Sequence, residues 1–287
     1  MKTPNQLETI LARGFAGITE PPAFHRVQLA RAEYMKIRAR YGFASRGALL
    51  SEEISKLKKS DGKNLGLAFM PADSSGLANV CAFAGDCAAD CVAYSGNGGF
   101  SSTQRVRLAR LAFAIEQPQF FAVLLWDELR MHSQDDTYPM NVRLNTYSDI
   151  RYERVAPKLF EYFTKANFYD YTKHPARSRP NVPANYSLTY SVSEKTSPRE
   201  FWKNLELGRN VAAVVDVRSG ETRNGWRPIP QTFAGVPTID GDLRDDRHND
   251  PRGVVVILRR KHTLKASSGL ITNAAKIDQQ NQTKKAH

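Results

Sequence analysis

From Asn141 onward the chain alternates short strand-like runs with segments of helical period, and few folds accept that rhythm. Asn141–Asn145, Asn167–Tyr171, Tyr186–Val192, Val211–Val217, Pro237–Asp240 and Gly253–Leu258 are the strand-like runs, most of them rich in the β-branched and aromatic residues that suit a pleated surface. Between them, apolar spacing predicts helices over Tyr152–Ala166 and Ser197–Leu207. An earlier apolar run, Leu65–Met70, ends at Pro71 and reads as one more strand. Alternation of this kind gives an α/β fold with a mainly parallel sheet and right-handed crossovers. About seven strands are enough for a barrel, so the expected fold is an irregular (β/α) TIM-like barrel over residues 63–262. The glycines and prolines between Arg218 and Phe233 read as an exposed loop.

Ahead of the barrel, residues 1–62 read as a basic helical extension. Pro21-Pro22 interrupts it, and a helix over Phe24–Tyr41 sets Val27, Leu29, Ala30, Tyr34, Met35 and Ile37 opposite Arg26, Arg31, Lys36, Arg38 and Arg40. Such a face suits a phosphate backbone, or is simply solvated. Ser51–Ser60 reads as a short helix with an N-cap serine, closed by the turn Asp61-Gly62. Thr103–Arg130 reads as one long helix behind the glycines at 96, 98 and 99, with Arg105, Arg107 and Arg110 near its start. Arginines beside free helix N–H groups favour an anion. Residues 263–287 read as a basic polar tail.

A formal net charge of +12 suggests a polyanionic partner, of which nucleic acid is the commonest, with Arg31, Arg38, Arg105 and Arg107 as candidate phosphate contacts. No run approaches the ~20 apolar residues of a membrane span, and the expected setting is the cytoplasm.

All three cysteines fall in one eleven-residue window, Cys81, Cys87 and Cys91, in the pattern C-x5-C-x3-C. Cys87 and Cys91 would share one face of a helical turn. Three thiolates suit zinc with a fourth ligand from elsewhere, or an iron–sulfur cluster with one iron left open. The other reading is three small thiols packed among alanines.

Polar residues recur where the strands end, the place where α/β sheets gather their chemistry. Asn145 leads to Thr146-Tyr147-Ser148-Asp149, Tyr171 to Thr172-Lys173-His174, Val192 to Ser193-Glu194, and Asp240 to Gly241-Asp242. Asp149, Asp240 and Asp242 are candidate acid, base or nucleophile. Tyr171 and Tyr190 suit stacking on a flat substrate, or core packing.

Leu65–Leu258 also resembles the phage DNA guanine transglycosylases, distant relatives of the tRNA-guanine transglycosylases. The likeness rests on Cys81/Cys87/Cys91, Tyr147-Ser148-Asp149-Ile150, Tyr171-Thr172-Lys173, Ile239-Asp240-Gly241-Asp242 and Asp250-Pro251-Arg252-Gly253-Val254-Val255-Val256. It departs from that family at Thr146–Ile150, which lacks the two glycines of D-S-G-G-F-Q, and in the early position of the cysteines. The resemblance implies a TIM barrel carrying zinc, and a glycosyltransferase that replaces guanine in DNA with a free 7-deazaguanine base such as 7-cyano-7-deazaguanine. It implies Asp240 or Asp242 as nucleophile at the sugar and Asp149 as proton carrier, with Asn145, Ser148, Tyr171, Lys173 and Glu194 around the base. Two alternatives stand beside it: a radical S-adenosylmethionine-like iron–sulfur enzyme, and a non-catalytic zinc-containing DNA-binding phage protein.

Overall fold

Up to the sixth strand the runs pair in the order the chain makes them, and the ninth then enters between the sixth and the eighth. In the computed structural model, which describes residues 1–52, 62–134, 139–218, 228–261, 268–269 and 271, nine strands form one mostly parallel sheet. They are β1 (Leu50–Ser51), β2 (Lys63–Leu67), β3 (Met140–Arg143), β4 (Asn167–Thr172), β5 (Tyr186–Ser191), β6 (Val211–Arg218), β7 (Thr232–Phe233), β8 (Val236–Asp240) and β9 (Val255–Arg260). Their order is β1-β2-β3-β4-β5-β6-β9-β8-β7, and only the end pairs β1·β2 and β7·β8 are antiparallel. Among the described residues no ladder joins β1 to β7.

When consecutive strands lie side by side, right-handed crossovers put every connection on one face. That face is apolar here. Val142, Phe168 and Tyr186 share it by register, and Phe160 stacks on Tyr186 with ring centroids 4.9 Å apart. The alternate residues form a polar face, where Asn64, Asn141 and Asn167 make a side-chain ladder across three strands, at 3.1 and 3.0 Å. The segment between β8 and β9 covers part of this face, through the ion pair Arg143–Asp245 at 2.7 Å and the contact of His248 with Tyr169.

Among the described residues seven α-helices flank the sheet: α1 (Pro4–Phe15), α2 (Phe24–Arg40), α3 (Ser101–Glu116), α4 (Pro118–Ser133), α5 (Tyr152–Val155), α6 (Pro157–Tyr162) and α7 (Pro198–Glu206). Thr3 and Gln6 form a capping box at the start of α1, with Pro4 in the first turn, where its missing N–H costs nothing. The N-terminal helices are part of the main core: Leu7, Leu11, Val27 and Tyr34 join the cluster that holds Phe113, Phe121 and Val142. A Cβ on Gly14 would run into the backbone carbonyl of Pro118, so α1 meets α4 at backbone distance.

Five expectations change. The single helix over Thr103–Arg130 is two, α3 and α4, turned by 120° at Gln117-Pro118. The helix over Tyr152–Ala166 is divided by Ala156-Pro157 and stops at Tyr162. Ser51 is a strand residue paired with Gly66 instead of a helix cap, and the rest of that expected helix, 53–60, lies outside the described residues. Within the loop expected over Arg218–Phe233, β7 pairs with β8. On α2, Leu29 and Met35 are exposed at 54% and 38% instead of facing the core. The tail over 263–287 lies almost wholly outside the described residues. Among the described residues no single helix is long and apolar enough to cross a membrane. The bent pair α3/α4 is core, with Leu111, Phe113, Phe121 and Trp126 fully buried.

Candidate functional site

Beyond β3 the chain makes a turn that Asn145 organises. Its backbone N–H and side-chain amide reach Asp170 at 2.8 and 3.1 Å, while its Oδ1 accepts from Ser148 and Ile150. Asn145 and Ser148 therefore hold the turn that presents Asp149. Asp149 Oδ2 accepts the backbone N–H of Lys173 at 2.7 Å, and Arg179 Nη1 stands 3.5 Å from Oδ1. Arg179 is fully buried and forks onto Glu153 at 2.8 and 2.6 Å, with Tyr186 Oη 3.2 Å away. Tyr186 in turn donates to Asp170 at 2.7 Å. Burial pushes the Asp170 carboxyl up to about 7, against the pull of Arg143 and its hydrogen-bond donors.

Lys173 opens onto a cleft of about 1150 Å³ that runs along β5, from Tyr186 to Tyr190, and is lined also by the segments ahead of β6 and β9. Its cations are Lys173, Arg177, Lys195, Arg199, Lys203, Arg209, Arg247 and Arg252, eight against the two carboxylates Glu200 and Asp250. Low-dielectric walls lined by one sign of charge concentrate ions of the other sign. Phe83, from the cysteine segment, stands at this cleft with 41% of its surface exposed and its ring edge-on to His174 at 5.0 Å.

The cysteine segment is therefore a neighbour of the cleft. Cys81 donates its thiol to Tyr147 O at 3.6 Å. Burial raises the Cys81 thiol well above its ordinary range, and the nearby Asp149, Cys91 and Cys87 raise it further, so it stays protonated. Cys87 sits in a 3-10 turn, Gly85–Ala88, and Cys91 is extended ahead of another, Val92–Tyr94, so the two do not share one helical face. Among the described residues no three His, Cys, Asp or Glu side chains are grouped so as to hold one metal ion. Gly85 takes φ +55 and packs its Cα against the Glu194 carboxylate, leaving no room for a Cβ. Glu194 accepts the Asp86 N–H at 3.2 Å, which ties the loop after β5 to the cysteine segment.

The remaining candidates fall elsewhere. Tyr171 is on the polar face, with the Arg143 guanidinium 5.0 Å from its ring centre. Asp240 is held by Arg259 at 2.7 and 2.6 Å, and Asp242 accepts from the Arg259 backbone and Lys261 at 2.8 and 3.0 Å. None of the hydrogen bonds or ion pairs given for Asp149 reaches either of them. The arginines expected on phosphates have internal roles. Arg31 pairs with Asp127, Arg38 is buried between Tyr34 and Phe43, Arg105 lies over Phe43, and Arg107 donates to Ala93 O at 2.7 Å. Sequence reasoning missed Phe83, Arg209, Arg247 and His248 at the cleft, and took Asp250 only as the start of a family motif. The charged run Asp245–Arg252 was a usable signal for the last three, since so many ionisable groups rarely share a plain turn.

Fold and site together define a mixed α/β protein with a mainly parallel sheet and a basic cleft beside its central strands. Residues 46–274 match the family model described as Gene product 88, and the chain belongs to that family. No curated protein and no solved structure matches it.

Proposed function

We propose that this chain is a DNA-modifying enzyme of a phage, which exchanges guanine in DNA for a free 7-deazaguanine base. The observation that carries the reading is the cleft, whose eight lysines and arginines face two carboxylates. Consecutive parallel strands with crossovers on one face support a sheet that curls toward an irregular barrel. The host cytoplasm is where such a substrate is met.

In this reading the target nucleotide leaves the stack, at a cost of roughly a few kcal/mol. Cationic side chains hold the flanking phosphates, and Phe83 offers a face on which a base stacks. A carboxylate oxygen of Asp240 or Asp242 bonds to C1′ as the bond from C1′ to guanine N9 breaks. The bonding pair leaves with guanine, and Asp149, which accepts the Lys173 backbone N–H, supplies its proton. The incoming base returns a proton to Asp149 as its own nitrogen displaces the carboxylate. Zinc, or an iron–sulfur cluster, on Cys81, Cys87 and Cys91 belongs to the proposal as a structural group and enters no step. It requires the segment to close around the ion, and metal and sulfide analysis of the purified protein tests it.

A second reading, a non-catalytic DNA-binding protein, is favoured by one observation: Asp149, Asp240 and Asp242 are all engaged in ion pairs. Incubation with duplex DNA and labelled 7-deazaguanine bases, followed by nucleoside mass spectrometry, separates the two. The enzyme reading expects incorporation that slows by roughly 10²–10⁴-fold in Asp149→Asn and stops in one of Asp240→Asn and Asp242→Asn. Incorporation at the wild-type level in all three variants would sink the residue assignment. No incorporation by the wild type would leave only the binding reading.

A further inference from the structure

The turn ahead of β9 holds an ion pair whose two charges are close without being hydrogen-bonded. Arg247 lies in the 3-10 turn Arg247–Asn249, and its side chain is 1% exposed. Its Nη2 donates to Arg244 O, and its Nη1 stands 3.2 Å from Asp250 Oδ2. The pair lacks hydrogen-bond alignment, so Arg247 Nε, Arg247 Nη1 and Asp250 Oδ2 are each shielded from solvent with no hydrogen-bond partner. His248 Nδ1 and the Tyr171 hydroxyl are in the same condition.

These groups share one place. Arg247, His248 and Asp250 line the cleft together with Ser187 and Thr189, the strand partners of Tyr169 and Tyr171 on the polar face of the sheet. The His248 ring lies 5.5 Å from that of Tyr169. Burial holds the Tyr171 hydroxyl above its ordinary range, with Arg247 opposing and Asp245 and Asp250 adding to the effect, so both members of the pair stand beside it.

Buried donors and acceptors are ordinarily matched, and charged ones left unmatched are the costliest kind. A phosphate would satisfy Arg247 but would set a like charge against Asp250, and a cation would satisfy Asp250 but meet Arg247. A neutral group with a carbonyl and an N–H on neighbouring atoms suits both at once. The lactam edge of a guanine-type ring is such a group, since an arginine donates to a base carbonyl and a carboxylate accepts from a base N–H.

We propose that Arg247 and Asp250 read the lactam edge of a guanine-type base in the cleft, Arg247 donating to the ring carbonyl and Asp250 accepting from the neighbouring ring N–H. The assignment rests on the reading of the cleft as the place where guanine and a 7-deazaguanine exchange. Both bases carry this edge, and it lies across the ring from the nitrogen that bonds to the sugar. One contact therefore serves the leaving base and the incoming one while the glycosidic nitrogen stays free to react.

Titration calorimetry on the full chain tests this with deoxyguanosine, N1-methyldeoxyguanosine and 7-cyano-7-deazaguanine. The methyl group takes away the ring N–H, so the methylated nucleoside should bind about tenfold or more weakly than its parent, as loss of a charge-assisted hydrogen bond implies. Equal binding of the two overturns the assignment and leaves the pair bridged by solvent. Uptake of none of the three probes also overturns it. Asp250→Ala should weaken deoxyguanosine by a similar factor and leave the methylated nucleoside unchanged, whereas equal weakening of both would reduce Asp250 to a structural role and overturn the proposal. Burial lifts the Asp250 carboxyl to about 6, with Arg247 and Arg244 opposing and Asp246 and Asp245 adding to the effect. Deoxyguanosine binding should therefore weaken as pH falls through about 6 in the wild type and not in Asp250→Ala. Arg247 is deeply buried, and the comparison of the two nucleosides on the wild type decides the matter if Arg247→Gln fails to fold. Deoxyguanosine bound through Asp250 by a protein that exchanges no base keeps the subsite and removes the enzyme reading. Base exchange by a protein that binds both nucleosides equally keeps the enzyme reading and removes the subsite.

Discussion

At the scale of single residues, Arg179 shows how little a side chain's neighbours in sequence say about its role. It stands in Ala176-Arg177-Ser178-Arg179-Pro180, a stretch that reads as a solvated loop. Folding brings Glu153, Asp149 and Tyr186 around it from three other segments and leaves it 0% exposed. Breaking a buried pair by neutralising one partner leaves the other charge without compensation, at about 3–5 kcal/mol. Glu153→Gln should therefore lower the urea midpoint by an amount of that order. Glu161→Gln removes an exposed pair with Lys158 and should change it by about 0–1 kcal/mol. Equal midpoints for the two variants would show that Arg179 is solvated in solution. Asp149 was legible as a polar residue at a strand end. Its partners were not, because each lies on a different element.

At the scale of elements, the strands were legible and the helix breaks were not. Runs such as Tyr186–Ser191 and Val211–Arg218 declare themselves by β-branched and aromatic content. Pro118 and Pro157 both occupy first-turn positions, where proline is tolerated, so the apolar period runs on through them and hides the break. β1 was missed because its stability comes from α3 and α4. Glu128 accepts the N–H groups of Leu49 and Leu50 at 3.0 and 2.8 Å, and Arg110 bonds Ala48 O and Ser51 Oγ. Glu128→Ala orphans two buried donors, and each should cost about 1–3 kcal/mol. Hydrogen exchange should accelerate first at Leu49 and Leu50; unchanged protection there would mean that pairing with β2 alone holds the strand.

At the scale of the whole molecule, the charge of +12 pointed to a polyanion but not to its place. The arginines of α2 looked like a phosphate track, yet Arg31 and Arg38 are engaged with Asp127 and with aromatic rings. The cleft gathers its cations from the loops after β4 and β5, from α7 and from the segment before β9. Log affinity for DNA should fall linearly with log salt, by ~0.9 per phosphate neutralised. Charge reversal at Lys195 and Arg199 should flatten that slope by about one phosphate each, and reversal at Arg31 and Arg38 should not. The opposite pattern in filter binding across a salt series would return the interface to the N-terminal helix. By itself the sequence determined what is local: the α/β class, the parallel sheet, the strand positions and the polar strand ends, all of which follow from periodicity and side-chain type. Only the tertiary structure decided which charges pair off and which remain facing a cleft, because an ion pair needs proximity in space, and spacing along the chain does not carry that.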